Sequence, residues 1–273
     1  MIKLEHTVLA SPEQMEFIIE GMRNPMNSWG KSDTHTKICR TGFHEDRSCD
    51  PDCANPNCSG PYINKGIGPN DLDLMQRLSN AGTEHRKYMR MMPVYVRITA
   101  PLYWWKEFDT YKIGTVANSC STMHKIAEKE FTMEDFSTEY LSYPSLKNLK
   151  NTVKCMNDYR EEYLKDKEKH NWWQMIQLLP SSYNQTRNVM LNYEVLANIY
   201  RQRHGHKLDE WREFCRWIES LPYSELIIGF KEYDTVDYAK EHPDFADQIK
   251  DAVEKMTKSV PCKNKLEGDE KNV

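Results

Sequence analysis

The stretch Ile98–His124, I-T-A-P-L-Y-W-W-K-E-F-D-T-Y-K-I-G-T-V-A-N-S-C-S-T-M-H, constrains this chain more than any other. It opens as the end of a strand, turns at Ala100-Pro101 and continues as a short aromatic helix. Pro101 suits a first helical turn, where the missing N–H would have had no partner. Trp104, Phe108 and Tyr111 recur at i, i+4 and i+7, which predicts one apolar stripe. Beyond Lys112 the run I-G-T-V-A-N-S-C-S-T replaces bulk with small, hydroxylated and amide residues. Such a composition lets backbone and short side chains approach a ligand closely. An aromatic scaffold feeding a polar run reads as a site held on rigid structure. A core helix followed by an ordinary polar loop is the competing reading.

The 273 residues suffice for one large domain or two small ones, and 39% hydrophobic with 29% charged residues fits a globular chain with a real core. The 15 Tyr and 7 Trp can fill that core or stack on a planar ligand. A net charge of -4 argues against bulk nucleic-acid binding. The opening M-I-K-L-E-H-T-V is too charged for a secretory core, and no apolar run approaches membrane length. A cytoplasmic protein with no membrane partner is expected.

Along the chain, alternation over residues 2–9 predicts a first strand. Ser11-Pro12-Glu13-Gln14 carries a capping box ahead of a helix from Pro12 to about Met22, which stops at Asn24-Pro25. From Met26 to Pro69 the pattern dissolves into Gly, Pro, Asn, Asp and Cys, an inserted loop of a length that is usually functional or clamped. Cys39, Cys49, Cys53 and Cys58, with His44 nearby, offer thiolate and imidazole donors for a structural zinc. Their spacing is looser than paired C-x2-C knuckles, so free thiols in an ordinary insertion compete with the metal. The eight cysteines are too few and too irregular for a disulfide framework.

Asn70 is placed to cap the helix D-L-D-L-M-Q-R-L, with Asp71 and Asp73 favoured at its positive end. Glu84-His85 follows, as a ligand contact or a plain ion pair, before an alternating strand at 94–98. Past His124 the chain is charged and irregular. A long helix begins after Pro144, and a short one, W-W-Q-M-I-Q-L-L, ends at Pro180. The next segment, about 184–203, reads as a helix with Val189, Tyr193, Leu196 and Tyr200 as its core stripe. Asn188, Asn192, Ile199 and Arg203 fall on a second stripe. Trp211, Phe214, Cys215, Ile218 and Leu221 mark an amphipathic helix, a weaker one spans about 243–256, and 257–273 reads as a disordered tail. One domain over 1–256, with the cysteine-rich loop at 26–69, is the simplest division.

Two separated segments together resemble the flavin-dependent thymidylate synthases. The first is A-P-L-Y-W-W-K-E-F-D-T-Y-K-I, which aligns with the stretch into that family's R-H-R-I signature. The second is L-P-S-S-Y-N-Q-T-R-N-V-M-L-N-Y-E-V-L-A-N-I-Y-R-Q-R, in which Leu179-Pro180, Asn192, Leu196, Asn198 and Arg203 keep the family's register. The resemblance implies an α+β fold of the thymidylate synthase-complementing-protein type, with a central mostly antiparallel sheet and flanking helices. It implies reductive one-carbon transfer to C5 of dUMP, with FAD as cofactor and NADPH and methylenetetrahydrofolate as co-substrates, in a homotetramer. On that likeness Arg203 holds the pyrimidine, and Ser121, or Ser119, contacts the nucleotide. Glu84, His85, Thr110, Tyr111, Lys112, Ile113, Asn118, Asn192 and Asn198 are the implied cofactor-binding residues.

The chain departs from the pattern where charge matters. Thr110-Tyr111-Lys112 stands in place of Arg-His-Arg, and Asn118-Ser119-Cys120-Ser121-Thr122-Met123-His124 lacks the family's Glu and second Arg. Glu194 replaces a further Arg. Lys112 supplies a point charge but not a bidentate fork. A catalytically altered member that only binds a nucleotide, a relative acting on a different pyrimidine nucleotide, and a zinc module built on the cysteine loop are the alternatives.

Overall fold

The computed structural model describes residues 2–34 and 66–229. Within them the chain is α+β, with one four-stranded antiparallel sheet and eight α-helices. The strands β1 (Lys3–Leu9), β2 (Pro93–Pro101), β3 (Val116–Ser119) and β4 (Asn184–Asn192) lie in the order β1-β2-β4-β3. Residues 35–65 of the cysteine-rich loop, the helix expected at 243–256 and the tail lie outside the described residues.

Helix α1 (Pro12–Arg23) has the predicted capping box: Ser11 Oγ accepts from Gln14 N, and Gln14 Oε1 accepts from Ser11 N. Helix α2 (Pro69–Asn80) corrects the expected Asn70 cap. Its orphan N–H groups are met from far away in sequence, because Asp33 accepts from the backbones of Asn70 at 2.9 Å and Asp71 at 3.1 Å. Asp71 is not a surface charge on the helix dipole either. Its buried carboxylate accepts from Arg23 Nε at 2.6 Å, Ser32 Oγ at 2.8 Å and Thr34 N at 2.9 Å. Gly68 is required here, since a Cβ would come within 2.2 Å of Asp33 Oδ1. This knot closes the ends of the undescribed loop onto α1 and α2.

Helix α3 (Leu102–Phe108) follows β2 directly, with Pro101 as the N-cap rather than inside the first turn. The predicted stripe outlasts the helix: Trp104, Phe108 and Tyr111 are all buried, although α3 ends at Phe108. Trp104 sits 4.8 Å from Trp211 and 5.0 Å from Phe108, centroid to centroid, at the centre of the main core. Helices α4 (Tyr143–Asp166) and α5 (Lys169–Leu178) form a second core around Phe131, Phe136, Val153, Met156 and Met175.

The largest correction concerns 184–203. The expected single helix is a strand, β4, followed by helix α6 (Tyr193–Arg203). Asn192 ends the strand and caps the helix, its Oδ1 accepting from Val195 N at 2.9 Å. The second stripe therefore breaks up, with Asn188 on the sheet and Ile199 in the core. The polar run after Ile113 is likewise no loop throughout, because Val116–Ser119 pairs with β4. Helices α7 (Asp209–Glu219) and α8 (Glu225–Ile228) complete the described chain.

One face of the sheet is packed and the other is open. Val94, Val96, Ile98, Val189 and Leu191 enter the main core with α1, α3, α6 and α7. Cross-strand partners share a face, so the open side is read from the register. One rung is Val8, Tyr95, Met190 and Val116; the next is Glu5, Arg97, Asn188 and Asn118. A bulge in β1 between Glu5 and Val8, with His6 at φ 52°, keeps both rungs in line.

Candidate functional site

The expected residues gather in two places. The first lies along α6. Tyr111, carried past the end of α3, donates its hydroxyl hydrogen to Gln202 Oε1 at 2.9 Å and accepts from Arg203 Nε at 2.9 Å. Gln202 in turn donates to Asn198 Oδ1 at 2.9 Å. Arg203 also donates from Nη1 to Glu107 Oε2 at 2.8 Å, and its guanidinium lies 4.9 Å from the Trp211 ring centroid. The same carboxylate oxygen accepts from Trp211 Nε1 at 2.9 Å and has His206 Nε2 at 3.5 Å. Arg203 is thus boxed by a carboxylate and two aromatic rings, which fixes its plane.

At the other end of α6, the turn before β3 touches the cap. Gly114 has φ +78°, and a Cβ there would meet Val195 Cγ2 at 3.0 Å and Asn192 Nδ2 at 3.1 Å. Only glycine lets this turn lie against the helix start. Arg86, just past Glu84-His85, pairs with Glu194 of the first turn of α6 at 2.7 Å. That ion pair brings the segment to α6, while Glu84 and His85 themselves stay exposed, 3.7 Å apart. Lys112 is exposed, Ile113 is 93% exposed, and Thr110 Oγ1 closes the end of α3 by donating to Glu107 O.

The second place is a depression of about 550 Å³ on the open sheet face, lined by Arg97, Thr99, Asn118, Ser119, Cys120 and Asn188 among others. Asn118 belongs here rather than beside Arg203, and Ser119 borders the depression although its partner Arg187 faces the core side. Six residues of extended chain beyond Thr115, roughly 20 Å, carry β3 away from α6 to Ser121. Ser121 Oγ accepts from Met123 N at 3.3 Å and His124 N at 3.0 Å, which folds the turn after the strand. Arg97 was absent from the sequence reading and Asn188 stood there only on a helical stripe; Glu107 and Gln202 were absent as well. Pairing of β2 with β4 was the signal for the first two, and reading 184–192 as helix concealed it.

Cys39, Cys49, Cys53 and Cys58 lie outside the described residues. Among the described residues no group of three or more His, Cys, Asp or Glu side chains is placed to hold a metal. Of the described cysteines, burial and then the Glu219 charge push Cys215 up to about 12, so its thiol stays protonated. No helix among the described residues is long and apolar enough to cross a membrane.

These features define a class: an α+β protein whose sheet is packed on one side and open on the other, with polar side chains gathered along α6 and over the open face. Its structural neighbours are flavin-dependent thymidylate synthases. The Helicobacter pylori enzyme complexed with FAD and dUMP matches with a TM-score of 0.51 and 14% identity, over 82% of this chain and 95% of that one. A second structure of that enzyme with the same two ligands matches with a TM-score of 0.50 and 14% identity, over 82% and 94%. No protein-family model and no curated protein matches the chain.

Proposed function

We propose that this chain is a flavin-dependent thymidylate synthase-like enzyme, transferring a one-carbon unit reductively to C5 of dUMP with FAD, NADPH and methylenetetrahydrofolate. The observation that carries the reading is the shared fold, over 82% of the chain, with an enzyme complexed with FAD and dUMP. Bound flavin supplies the hydride chemistry, and the protein binds, orients and polarises. The residues present fit such a group. Asn192 and Asn198 each keep an amide NH2 that makes no hydrogen bond among the described residues. Gly114 leaves room where a Cβ would crowd the same helix start, and Lys112, exposed two residues earlier, offers a cation. Neutral amides suit the carbonyl edge of a planar ring, and a cation suits a phosphate. Arg203 Nη2, which makes no hydrogen bond among the described residues, is available to a pyrimidine carbonyl, with Glu107 and Tyr111 holding its plane. Ser119 and Ser121, which β3 carries away from Arg203, contact the nucleotide from a second protomer of the assembly in this reading.

The test is direct. Purified protein mixed with FAD is expected to retain flavin absorbance after desalting, and to release tritium from C5 of labelled dUMP. Colourless protein that releases no tritium ends the assignment as a catalyst. The second reading, a nucleotide-binding protein without flavin, is favoured by Tyr111 being committed to Gln202 and Arg203 where the family has a His. It predicts colourless protein whose melting temperature rises with a nucleotide, because a ligand of the native state stabilises it.

A homotetramer belongs to the same proposal. It is supported by the apolar rung on the open face, where Val8 is 56%, Tyr95 48% and Val116 62% exposed. Sedimentation is expected to find an assembly at micromolar concentration that Val116→Glu reduces in size. A wild-type monomer under those conditions excludes the shared-face assembly.

A further inference from the structure

We infer that Arg97 is the phosphate-binding cation of the nucleotide site, with the amides of Asn188 and Asn118 beside it on the open sheet face. The inference rests on the nucleotide reading proposed above and deepens it by naming the group that takes the anion. The three residues are successive members of one rung across β2, β4 and β3. Cross-strand neighbours on one face stand about 5 Å apart, so their polar ends meet over the same patch. All three side chains are exposed and line the depression.

The hydrogen bonds within the rung leave the right donors over. Arg97 Nε donates to Asn188 Oδ1 at 3.4 Å, which turns the NH2 of Asn188 outward and leaves both terminal nitrogens of Arg97 without a partner among the described residues. Those two nitrogens form the planar fork that matches two phosphate oxygens at once. The Asn118 amide makes no hydrogen bond among the described residues and adds a further donor. Thr99 and Thr186, one rung along, satisfy each other at 2.7 Å and so floor the patch without competing for a ligand. Glu5 is the remaining member of the rung, opposite Arg97 on β1, and forms no ion pair with it. It sits on the side of Arg97 away from the two amides. The anion is therefore directed toward β4 and β3, and Glu5 accepts from a hydroxyl or amine of the same ligand. The apolar rung next to this one is where a second protomer sits in the proposed assembly. Roofing the patch would exclude water and strengthen the charged contact.

Two phosphate sources share this chemistry, the monoester of a pyrimidine nucleotide and the diphosphate of a flavin dinucleotide. Binding of dUMP, deoxyuridine, FAD and riboflavin to wild type, Arg97→Gln and Arg97→Lys separates them. Arg97 is exposed, so the variants fold, and their circular dichroism spectra check this. A roughly ten- to hundredfold loss for dUMP but not deoxyuridine in Arg97→Gln, partly restored in Arg97→Lys, supports the monoester. The same loss for FAD but not riboflavin supports the diphosphate. Equal binding of both phosphorylated ligands by wild type and Arg97→Gln overturns the role of Arg97 and leaves the nucleotide reading standing. Wild-type protein that binds neither dUMP nor FAD overturns both.

Discussion

Asp71→Ala is expected to lower stability by about 3–5 kcal/mol, because it leaves the Arg23 guanidinium buried without its counter-charge. The two side chains are 0% and 4% exposed, so water cannot replace the lost partner. The same carboxylate also accepts from Ser32 and Thr34, and its removal unties the described ends around residues 35–65. A pH dependence accompanies it. Burial alone would raise the Asp71 carboxyl, but hydrogen bonds from Thr34, Ser32 and Arg23 outweigh burial and hold it at about 2, against an ordinary 3.8. A group depressed in the folded state stabilises above its unfolded value and loses that contribution as pH falls through the folded one. Asp71 therefore contributes about 2 kcal/mol at neutral pH that disappears between roughly pH 4 and pH 2. Urea denaturation at pH 7 and melting curves across pH 2–6 measure both effects. A cost under 1 kcal/mol, or a variant as acid-sensitive as wild type in that window, refutes the account.

Trp104→Ala is expected to cost about 3–5 kcal/mol, the usual range for emptying a large aromatic site that cannot collapse. Four rings surround Trp104 at centroid distances of 4.8–5.6 Å, and each loses its neighbour. Trp104→Phe should cost far less than the loss of ring area suggests. The indole Nε1 is buried with no hydrogen-bond partner among the described residues, an arrangement that costs about 1–3 kcal/mol and that Phe relieves. Equilibrium unfolding followed by circular dichroism separates the two substitutions. Equal losses for Phe and Ala would mean that the indole N–H is satisfied after all.

Much of the scaffold was legible because its signals are local. The capping box at Ser11-Gln14, the alternation of Val94, Val96 and Ile98, and the stripe of Trp211, Phe214 and Ile218 all follow from neighbours within a turn or two. The segment 184–192 hides its strand character for a physical reason. In N-Q-T-R-N-V-M-L-N the core-side positions begin with the polar Gln185 and Arg187, so alternation of hydrophobicity is lost over the first half of β4. Arg187 is tolerated there because it lies 4.1 Å from the Trp105 ring centroid and pairs with Asp109 at 2.7 Å. Both partners come from the α3 region and are invisible to a window on 184–192. Strand formation was then decided by ladder bonds to β2 and β3, not by propensity.

The candidate site divides along the same line. From residue order alone came the aromatic lead into Tyr111 and the pairing of two distant segments with one family of enzymes. Three things waited on the tertiary structure: that Arg203 is boxed by Glu107 and Trp211, that Asp33 caps a helix 37 residues on, and that Arg97 stands beside Asn188 and Asn118. Periodicity reports which side of an element faces inward. It carries no information about which element lies opposite, and strand register, remote caps and ion pairs are set only when the chain closes on itself.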